Sequence, residues 1–432
     1  MKCRIVKGTR ENLKEQCSLL GARSKMDLRP IIDKVSTVIE DIRNNGDEAV
    51  LKYTKKFDNV EFTADQMRVK PEEIEQATAS LDPELLGILK KAAANIRAFH
   101  ENQKEEGFMI ENKKGAKTGV IVRPISVAGI YVPGGTAPLP STVLMDVTPA
   151  SVAGVRRIVF CTPPRADGSV APVILAAASI AGATEIYKVG GAQAVAAMAY
   201  GTETIPRVDK ICGPGNIYVN TAKRLVFGQV DIDMFAGPSE ILIIADKSAD
   251  PEFVAADMLS QAEHDKIASA IVLTDSQELA EKVLEAVDRR SEASSRNEIL
   301  AASLKDYCSI IVCDDLDTAV AFSEEIAPEH LELVVEDPEA LLPKIRNAGA
   351  VFMGKWSPEP LGDYFAGPNH TLPTSGTARF FSPLNTGDFY KKMSVINYTE
   401  DALRDVYKDV AAFADSEGLT CHAASVRARF ER

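Results

Sequence analysis

Hydrophobic positions along the chain follow a helical periodicity in one stretch and a strand–helix alternation in another. From about residue 25 to 105, apolar residues recur every three or four positions, which predicts amphipathic helices with a break at Asn44–Asp47. From residue 126, short apolar runs alternate with helical stretches of roughly 10–15 residues. The alternation restarts near residue 239. This order predicts an α/β fold with parallel sheets and right-handed crossovers.

The two ends of the chain lack this alternation. Residues 1–24 are polar and irregular, and we interpret them as an N-terminal arm. Charge clusters and β-branched runs over 108–125 indicate a small strand region. Residues 381–432 combine a loop rich in Gly, Pro and Thr with one helix around 400–414 and a final short segment. We predict a small C-terminal region there.

Composition and charge narrow the class of protein. The 432 residues are 45% hydrophobic and 26% charged, which is typical of a globular protein and not of a disordered or fibrous one. A net charge of −13 disfavours nucleic acid as a partner, because phosphates would be repelled. The longest apolar stretch, 168–184, is shorter than the roughly 20 residues of a membrane span. Seven scattered cysteines and the lack of an apolar signal region predict reduced thiols and a cytoplasmic protein.

Two glycine-containing turns are candidates for binding a phosphate. VGGAQA and CGPGNIY each follow a predicted strand and open a predicted helix, where backbone N–H groups can face an anion. The sequence contains neither GxGxxG nor GxxxxGK[ST], so the usual nucleotide fingerprints are missing. From spacing alone, ordinary turns between strand and helix explain both segments more simply.

The histidines predict a metal site more directly. Four of the five lie after residue 260, near acidic or amide side chains. His, Asp and an amide oxygen together suit Zn²⁺, with one position left for substrate or water. A single hydrogen-bonded histidine would need no metal, so this interpretation depends on the set. The set comprises Gln261, His264, Asp363, His370 and His422, with Cys421 as a rival ligand.

One further pair is suited to proton transfer. Glu329 and His330 are adjacent where a predicted helix ends and a strand begins, which is an edge where α/β proteins often build sites. A neutral His can accept a proton near pH 7, and a neighbouring carboxylate can activate water. A helix-terminal His without any catalytic role is the alternative. Ser239 and Asn216 follow Gly–Pro turns, for which simple turn chemistry is also sufficient. We interpret His100 as structural.

Taken together, these segments resemble the histidinol dehydrogenase family over about residues 25–430. Several long motifs in the same order are more specific than any single short pattern. They are GIYVPGGTAPLPSTVLMDVTPA, VGGAQAVAAMAYGT, DKICGPGNIYV, DMFAGPSEILIIAD, SQAEHD, APEHLEL, LGDYFAGPNHTLPT and EGLTCHA.

The resemblance implies a role for each matching position. Zinc ligands fall on Gln261, His264, Asp363 and His422, and the catalytic pair falls on Glu329 and His330. Contacts to NAD⁺ fall on Tyr131, Gln193 and Asn216. Substrate contacts fall on Ser239, His370 and Glu417, together with His330 and the four zinc ligands.

The resemblance also implies an architecture. It predicts two Rossmann-like parallel-sheet domains that lack GxGxxG, a helical N-terminal region and a small swapped C-terminal region. We expect the first domain to span 25–126 plus 239–380, the second 127–238, and the tail region 381–432. The protein would be a homodimer with shared active sites, in which Glu417 and His422 reach into the site of the partner subunit.

The implied reaction is the four-electron oxidation of L-histidinol to L-histidine through L-histidinaldehyde, with two NAD⁺ and one Zn²⁺ per subunit. A family paralogue that oxidises another amino or polyhydroxy alcohol is one alternative. A zinc hydrolase that uses metal-bound water is another, although it leaves the two glycine turns without a role. A non-catalytic binding protein would not need Glu329 beside His330.

Overall fold

The computed structural model describes residues 3–20, 28–134, 138–235 and 237–431. The chain divides into two compact units. The larger contains the residues up to 103 together with 126–389, and the smaller contains 104–125 together with the residues from 390 onward.

The secondary structure comprises fourteen strands, seventeen α-helices and three short 3-10 helices within these described residues. The strands are β1 (Arg4–Gly8), β2 (Phe108–Glu111), β3 (Lys117–Pro124), β4 (Val127–Tyr131), β5 (Arg157–Cys161), β6 (Glu185–Tyr187), β7 (Lys210–Cys212), β8 (Asp231–Ile232), β9 (Glu240–Ala245), β10 (Ser269–Thr274), β11 (Ser309–Cys313), β12 (His330–Val334), β13 (Ala350–Met353) and β14 (Tyr390–Asn397). The helices are α1 (Leu13–Leu20), α2 (Arg29–Asp58), α3 (Ala64–Met67), α4 (Pro71–Ala79), α5 (Pro83–Glu101), α6 (Pro140–Ala153), α7 (Pro172–Ala181), α8 (Gly191–Tyr200), α9 (Ile217–Val226), α10 (Pro251–Ala262), α11 (Gln277–Ala293), α12 (Asn297–Asp306), α13 (Leu316–Ile326), α14 (Pro338–Leu341), α15 (Glu359–Tyr364), α16 (Glu400–Ser416) and α17 (Thr420–Arg427).

The larger unit contains a six-stranded parallel sheet in the order β1–β11–β10–β9–β12–β13. Every residue of β9 and β10 is buried, which agrees with their nearly continuous apolar sequences EILIIA and SAIVLT. Helices α10 and α11 pack together; α10 contacts β9 and β10, and α11 contacts β10 and β11. Helix α13 contacts β9 and β10 through a second apolar cluster, so the sheet is covered on both faces.

The larger unit also contains a five-stranded parallel sheet in the order β6–β5–β4–β7–β8. Helices α8 and α9 pack with α2 over one face of this sheet. Helices α6 and α7 pack against each other, α5 contacts both, and α4 contacts α7. The strand–helix alternation therefore gives two parallel sheets, and the predicted α/β fold class is confirmed.

The smaller unit is an antiparallel sheet with two helices. Its strands stand in the order β14–β3–β2, and α16 packs against α17. Lys114, in the turn between β2 and β3, forms an ion pair with Asp405 of α16. Several large apolar side chains of this unit are more than half exposed. They are Phe108, Ile110, Ile396 and Phe413.

The N-terminal segment differs from the predicted irregular arm. Residues 4–8 form the edge strand β1, which pairs in parallel with β11 from Arg4↔Ser309 to Gly8↔Cys313. Helix α1 follows at Leu13–Leu20 and contacts α13. Residues 1, 2 and 21–24 of the predicted arm lie outside the described residues. Within the part that is described, the segment belongs to the six-stranded sheet.

Candidate active site

The catalytic histidine predicted from the sequence is the first residue of β12. His330 is 4% exposed, and its Nδ1 lies 2.8 Å from the carbonyl oxygen of Glu240 at the start of β9. Because a carbonyl oxygen only accepts hydrogen bonds, Nδ1 carries the hydrogen of the neutral ring and Nε2 carries the lone pair. Burial is the largest influence on the pKa of His330 and lowers it, although Asp363 acts in the opposite direction. A neutral ring with an accepting Nε2 can serve as a general base.

Glu329 is held by the backbone of the same residue as His330, namely Glu240. Its Oε2 accepts a hydrogen bond of 2.8 Å from the backbone N–H of Glu240 and lies 3.6 Å from Nδ1 of His330. The side chain is largely buried. The start of β9 therefore fixes both members of the predicted catalytic pair.

Two further carboxyl groups approach His330 from α15. Oε1 of Glu359 lies 3.6 Å from Nε2 of His330. Burial, together with the neighbouring Asp363, raises the pKa of Glu359 to about 10. One ligand atom from each of His330, Glu359 and Asp363 lies within 4.8 Å of the others. Such a cluster of nitrogen and oxygen donors has the chemistry of a cation site.

The side chains of Asp363 and His370 lie close together. Asp363 Oδ1 lies 3.5 Å from Nδ1 of His370. Burial lowers the pKa of His370, but Asp363 outweighs burial and leaves the pKa raised. Burial likewise opposes ionisation of Asp363, yet His370 holds its pKa below the usual value. Asp363 therefore favours the protonated form of the His370 imidazole, and His370 favours the carboxylate form of Asp363.

Helix α10 places two predicted zinc ligands at its C-terminal end. Gln261 lies in the last turn, is fully buried, and both of its amide atoms lack a hydrogen-bond partner among the described residues. His264 follows the helix, with Nδ1 3.4 Å from Oγ of Ser239. His264 also acts electrostatically on His330, which places the two rings in one region. A buried amide without a hydrogen-bond partner is energetically unfavourable. A metal ion bound by the amide oxygen would fit this position.

The three predicted NAD⁺ contacts lie where strands of the five-stranded sheet end. Tyr131 ends β4, and its hydroxyl oxygen accepts a 3.1 Å hydrogen bond from the N–H of Gly191 at the start of α8. Gln193, in the first turn of α8, is buried, with both amide atoms unpartnered among the described residues. Asn216 caps α9 by accepting hydrogen bonds from the N–H groups of Tyr218 and Val219. These residues share the carboxyl edge of a parallel sheet, where α/β folds bind dinucleotides.

The two remaining predicted residues lie in the smaller unit. Glu417 is the C-terminal cap of α16, and His422 lies in α17. Both are exposed. The residues described above, from Tyr131 to His370, all belong to the larger unit.

Comparison with known proteins identifies the family. A model of the histidinol dehydrogenase family matches residues 21–430. Histidinol dehydrogenase of Caldanaerobacter subterraneus subsp. tengcongensis is 55% identical over 94% of both chains, and that of Bacillus subtilis is 54% identical over 92% of this chain and 93% of its own. The crystal structure of histidinol dehydrogenase from Elizabethkingia anophelis superposes with a TM-score of 0.92 and 41% identity, covering 99% of this chain and 98% of that one. The chain belongs to the histidinol dehydrogenase family.

Membership of the histidinol dehydrogenase family confirms the resemblance noted in the sequence. It makes the chain an oxidoreductase acting on a CH–OH group, which argues against the zinc hydrolase alternative. Within the described residues, no helix is both long and apolar enough to cross a membrane.

Glu359 was not predicted from the sequence as a member of the site. It lies four positions before Asp363 at the start of α15, so one helical turn brings both carboxyl groups onto the same face. The four-residue spacing from Asp363 was the one feature of the sequence that could have pointed to Glu359. The neighbouring His330 lies on a different strand, and its approach to Glu359 depends on tertiary packing.

Proposed function

We propose that this protein oxidises L-histidinol to L-histidine through L-histidinaldehyde, with transfer of two hydrides to two NAD⁺. The orientation of His330 carries the proposal. Its Nδ1–H is committed to the carbonyl oxygen of Glu240, so Nε2 faces the cluster that contains Glu359 and Asp363 as a proton acceptor. An alcohol can lose a hydride only when its hydroxyl proton is also removed, and a buried neutral imidazole is suited to that task.

In the first oxidation, His330 would accept the hydroxyl proton at Nε2 while the carbon-bound hydrogen leaves as hydride. The lowered pKa of His330 keeps the ring neutral and ready at pH 7. In the second oxidation, Glu329 would take a proton from water as it adds to the bound aldehyde. The protonated His330 would return its first proton to the aldehyde oxygen during this hydration, and the neutral ring would then accept a proton from the hydrated aldehyde during the second hydride transfer. No cysteine nucleophile is needed for this sequence.

We propose that one Zn²⁺ is held by Gln261, His264 and Asp363, with His422 of the partner subunit as the fourth ligand. Amide oxygen, imidazole and carboxylate form a donor set that suits Zn²⁺. The unpartnered buried amide of Gln261 supports this assignment. When bound, the ion would hold the imidazole and amine of the substrate and thereby orient the carbon that is oxidised.

Ser239, His330 and His370, together with Glu417 of the partner subunit, would complete the substrate site. Ser239 lies beside His264, and Asp363 raises the pKa of His370. The nicotinamide cofactor would contact Tyr131, Gln193 and Asn216. The buried, unpartnered amide of Gln193 is suited to a polar group of the dinucleotide.

We propose a homodimer in which the smaller unit of each subunit contributes to the site of the other. The exposed apolar side chains Phe108, Ile110, Ile396 and Phe413 of this unit support a role as an interface, because large exposed apolar groups commonly mark one. The exposure of Glu417 and His422 agrees with the same role.

Steady-state assays with a panel of alcohols test this function. We expect NADH to form from L-histidinol and NAD⁺, activity to be lost after treatment with a chelator, and Zn²⁺ to restore it. A preference for another amino or polyhydroxy alcohol would favour the paralogue alternative. Activity that survives complete removal of metal would contradict the proposed role of zinc.

A further inference from the structure

The turn between β7 and α9 is built around a glycine that no other residue can replace without strain. Gly213 has a φ of +114°, and a Cβ atom there would lie 2.0 Å from the carbonyl oxygen of Tyr131. The same turn ends at Asn216, the cap of α9. The segment from Gly213 to Asn216, here called the GPGN turn, therefore touches one proposed NAD⁺ contact and contains another.

The backbone of this turn is hydrogen-bonded to a fully buried ion pair. Lys223 of α9 has no solvent exposure, and its Nζ donates a 2.9 Å hydrogen bond to the carbonyl oxygen of Gly213. Lys223 also forms an ion pair with Asp233, whose side chain is 1% exposed. Asp233 Oδ2 accepts a 2.7 Å hydrogen bond from the N–H of Gly213. The pair thus binds both the N–H and the C=O of one residue.

The remaining oxygen of Asp233 is also used. Oδ1 accepts a 2.6 Å hydrogen bond from the N–H of Met234, directly after the short strand β8. The pair consequently ties the last turn of α9, the residue after β7 and the residues after β8 into one network. Every element of that network borders the carboxyl edge of the five-stranded sheet.

The known energetics of buried ion pairs indicate that this pair does more than stabilise the fold. Removing two charges from water is expensive, and apolar residues of similar volume often stabilise a core as well as a buried ion pair does. The pair fixes the orientation of the turn, because the carboxylate and the ammonium group form hydrogen bonds of defined geometry with the N–H and C=O of Gly213. Such fixing is valuable where a backbone turn must keep its shape to receive a ligand.

We propose that Lys223 and Asp233 are positioning residues for the dinucleotide, which hold the GPGN turn in the conformation that binds NAD⁺. The inference rests on the proposed function, because it takes NAD⁺ as the ligand of this edge. Neither residue contacts the zinc ligands or the catalytic pair in the contacts described above. We therefore expect their removal to affect NAD⁺ binding more than zinc or histidinol binding.

Calorimetric titration of the full-length, zinc-loaded protein with NAD⁺ tests the proposal. The variants are Asp233→Asn, Lys223→Met and the double variant, in which no unpaired charge remains buried. We expect the Kd for NAD⁺ to rise about 10-fold or more in Lys223→Met and the double variant, as the loss of a charged hydrogen bond implies. Asp233→Asn retains one acceptor oxygen and should show a smaller rise. Zinc content and the KM for histidinol should stay at parent values.

Arg157→Met provides a matched control. Arg157 pairs with Glu185 at the amino ends of β5 and β6, so this change removes an ion pair of the same sheet at the opposite edge. Its Kd for NAD⁺ should equal that of the parent.

A double variant that is folded, retains zinc and binds NAD⁺ as tightly as the parent would overturn the proposal. So would parallel losses of NAD⁺ binding, histidinol binding and zinc, which would indicate a merely structural role. Failure of the parent to bind NAD⁺ would instead overturn the proposed function, and this inference with it.

Discussion

At the scale of single residues, the backbone of Glu240 organises the proposed chemistry. Its carbonyl oxygen accepts the hydrogen bond from His330, and its N–H donates to Glu329, each over 2.8 Å. Glu240 begins β9, which pairs in register with β12. The tautomer of the histidine and the position of the carboxylate are therefore consequences of sheet pairing, which is more rigid than a loop.

Replacement of His330 tests its role as the base for both oxidations. His330→Asn cannot accept the proton at physiological pH, so we expect kcat to fall roughly 10²-fold or more for histidinol and for histidinaldehyde. Rapid-mixing assays with each substrate measure the two steps separately. Parent-like zinc content and NAD⁺ affinity serve as controls, and loss of only one of the two oxidations would argue against a shared base.

Glu329→Gln separates the two steps. Gln keeps an oxygen that can accept the hydrogen bond from Glu240, so the geometry should persist while the ability to activate water is lost. We expect the rate of aldehyde oxidation to fall at least about 10-fold further than the rate of alcohol oxidation. Equal losses in the two single-step assays would contradict the assigned role.

Asp146 should make folding stability depend on pH. Burial raises the pKa of this carboxyl group to about 7, while the Thr371 hydroxyl and the charges of His370 and Lys223 oppose the shift and Asp233 adds to it. Because the folded-state pKa exceeds the unfolded value, ionisation is disfavoured in the fold and stability falls as pH rises from about 4 to 7. A difference of one in pKa between the folded and unfolded states corresponds to about 1.4 kcal/mol of folding free energy.

Asp146→Asn removes this titration. We expect the Tm of the variant relative to the parent to increase between about pH 5 and pH 8, since only the parent then has to bury a charge. Thermal unfolding at both pH values measures the difference. A Tm difference that stays constant, or that decreases as pH rises, would contradict the raised pKa of Asp146.

At the scale of secondary-structure elements, the kink in α2 is a point of specific strain. Gly46 has a φ of +50° and a ψ of −129° inside an otherwise helical segment, and Glu203 accepts a 2.8 Å hydrogen bond from the N–H of Asp47. A Cβ atom at Gly46 would lie 2.3 Å from Oε2 of Glu203. The break predicted over Asn44–Asp47 therefore exists and is fixed by a distant carboxylate.

Gly46→Ala should destabilise the protein by about 1–3 kcal/mol, because it combines a disfavoured backbone conformation with a collision. Gly154→Ala is the matched control. Gly154 also has a positive φ, of +85°, but a Cβ atom there meets nothing within 4 Å. Chemical denaturation measures both variants. A loss for Gly46→Ala no larger than that for Gly154→Ala would show that the contact with Glu203 carries no weight.

Hydrophobic periodicity predicted most of the helices and strands because it reflects local burial. It failed where a strand forms by pairing with a segment that is distant in the sequence. The apolar runs at β9 and β10 are recognisable, since both are buried throughout. The strand β1, RIVKG, has only two strongly apolar residues and becomes a strand by pairing with β11, about 300 positions later. No local pattern contains that information.

At the scale of the whole molecule, the site combines residues that are remote in sequence. Family resemblance selected the proposed ligands and the catalytic pair because their motifs are long and ordered. It did not select Glu359, Lys223 or Asp233, whose importance depends on burial and on neighbours from other elements. Burial of charged groups is visible only in the fold.

Mixing two inactive variants tests the shared site. In a swapped dimer, a His330→Asn subunit can donate His422 to the site of a His422→Asn subunit, which restores one intact site in each mixed dimer. Random exchange of subunits should therefore recover about a quarter of parent activity. Each variant treated alone serves as the control. No recovery, with exchange confirmed by mass spectrometry, would place both residues in the same subunit's site.

The most direct test of the central claim is the yield of NADH for a limiting amount of L-histidinol. Two hydride transfers at one site predict two NADH and one L-histidine per histidinol consumed, with no aldehyde released. One NADH per histidinol, accompanied by free histidinaldehyde, would show that the site performs only the alcohol oxidation and would contradict the account.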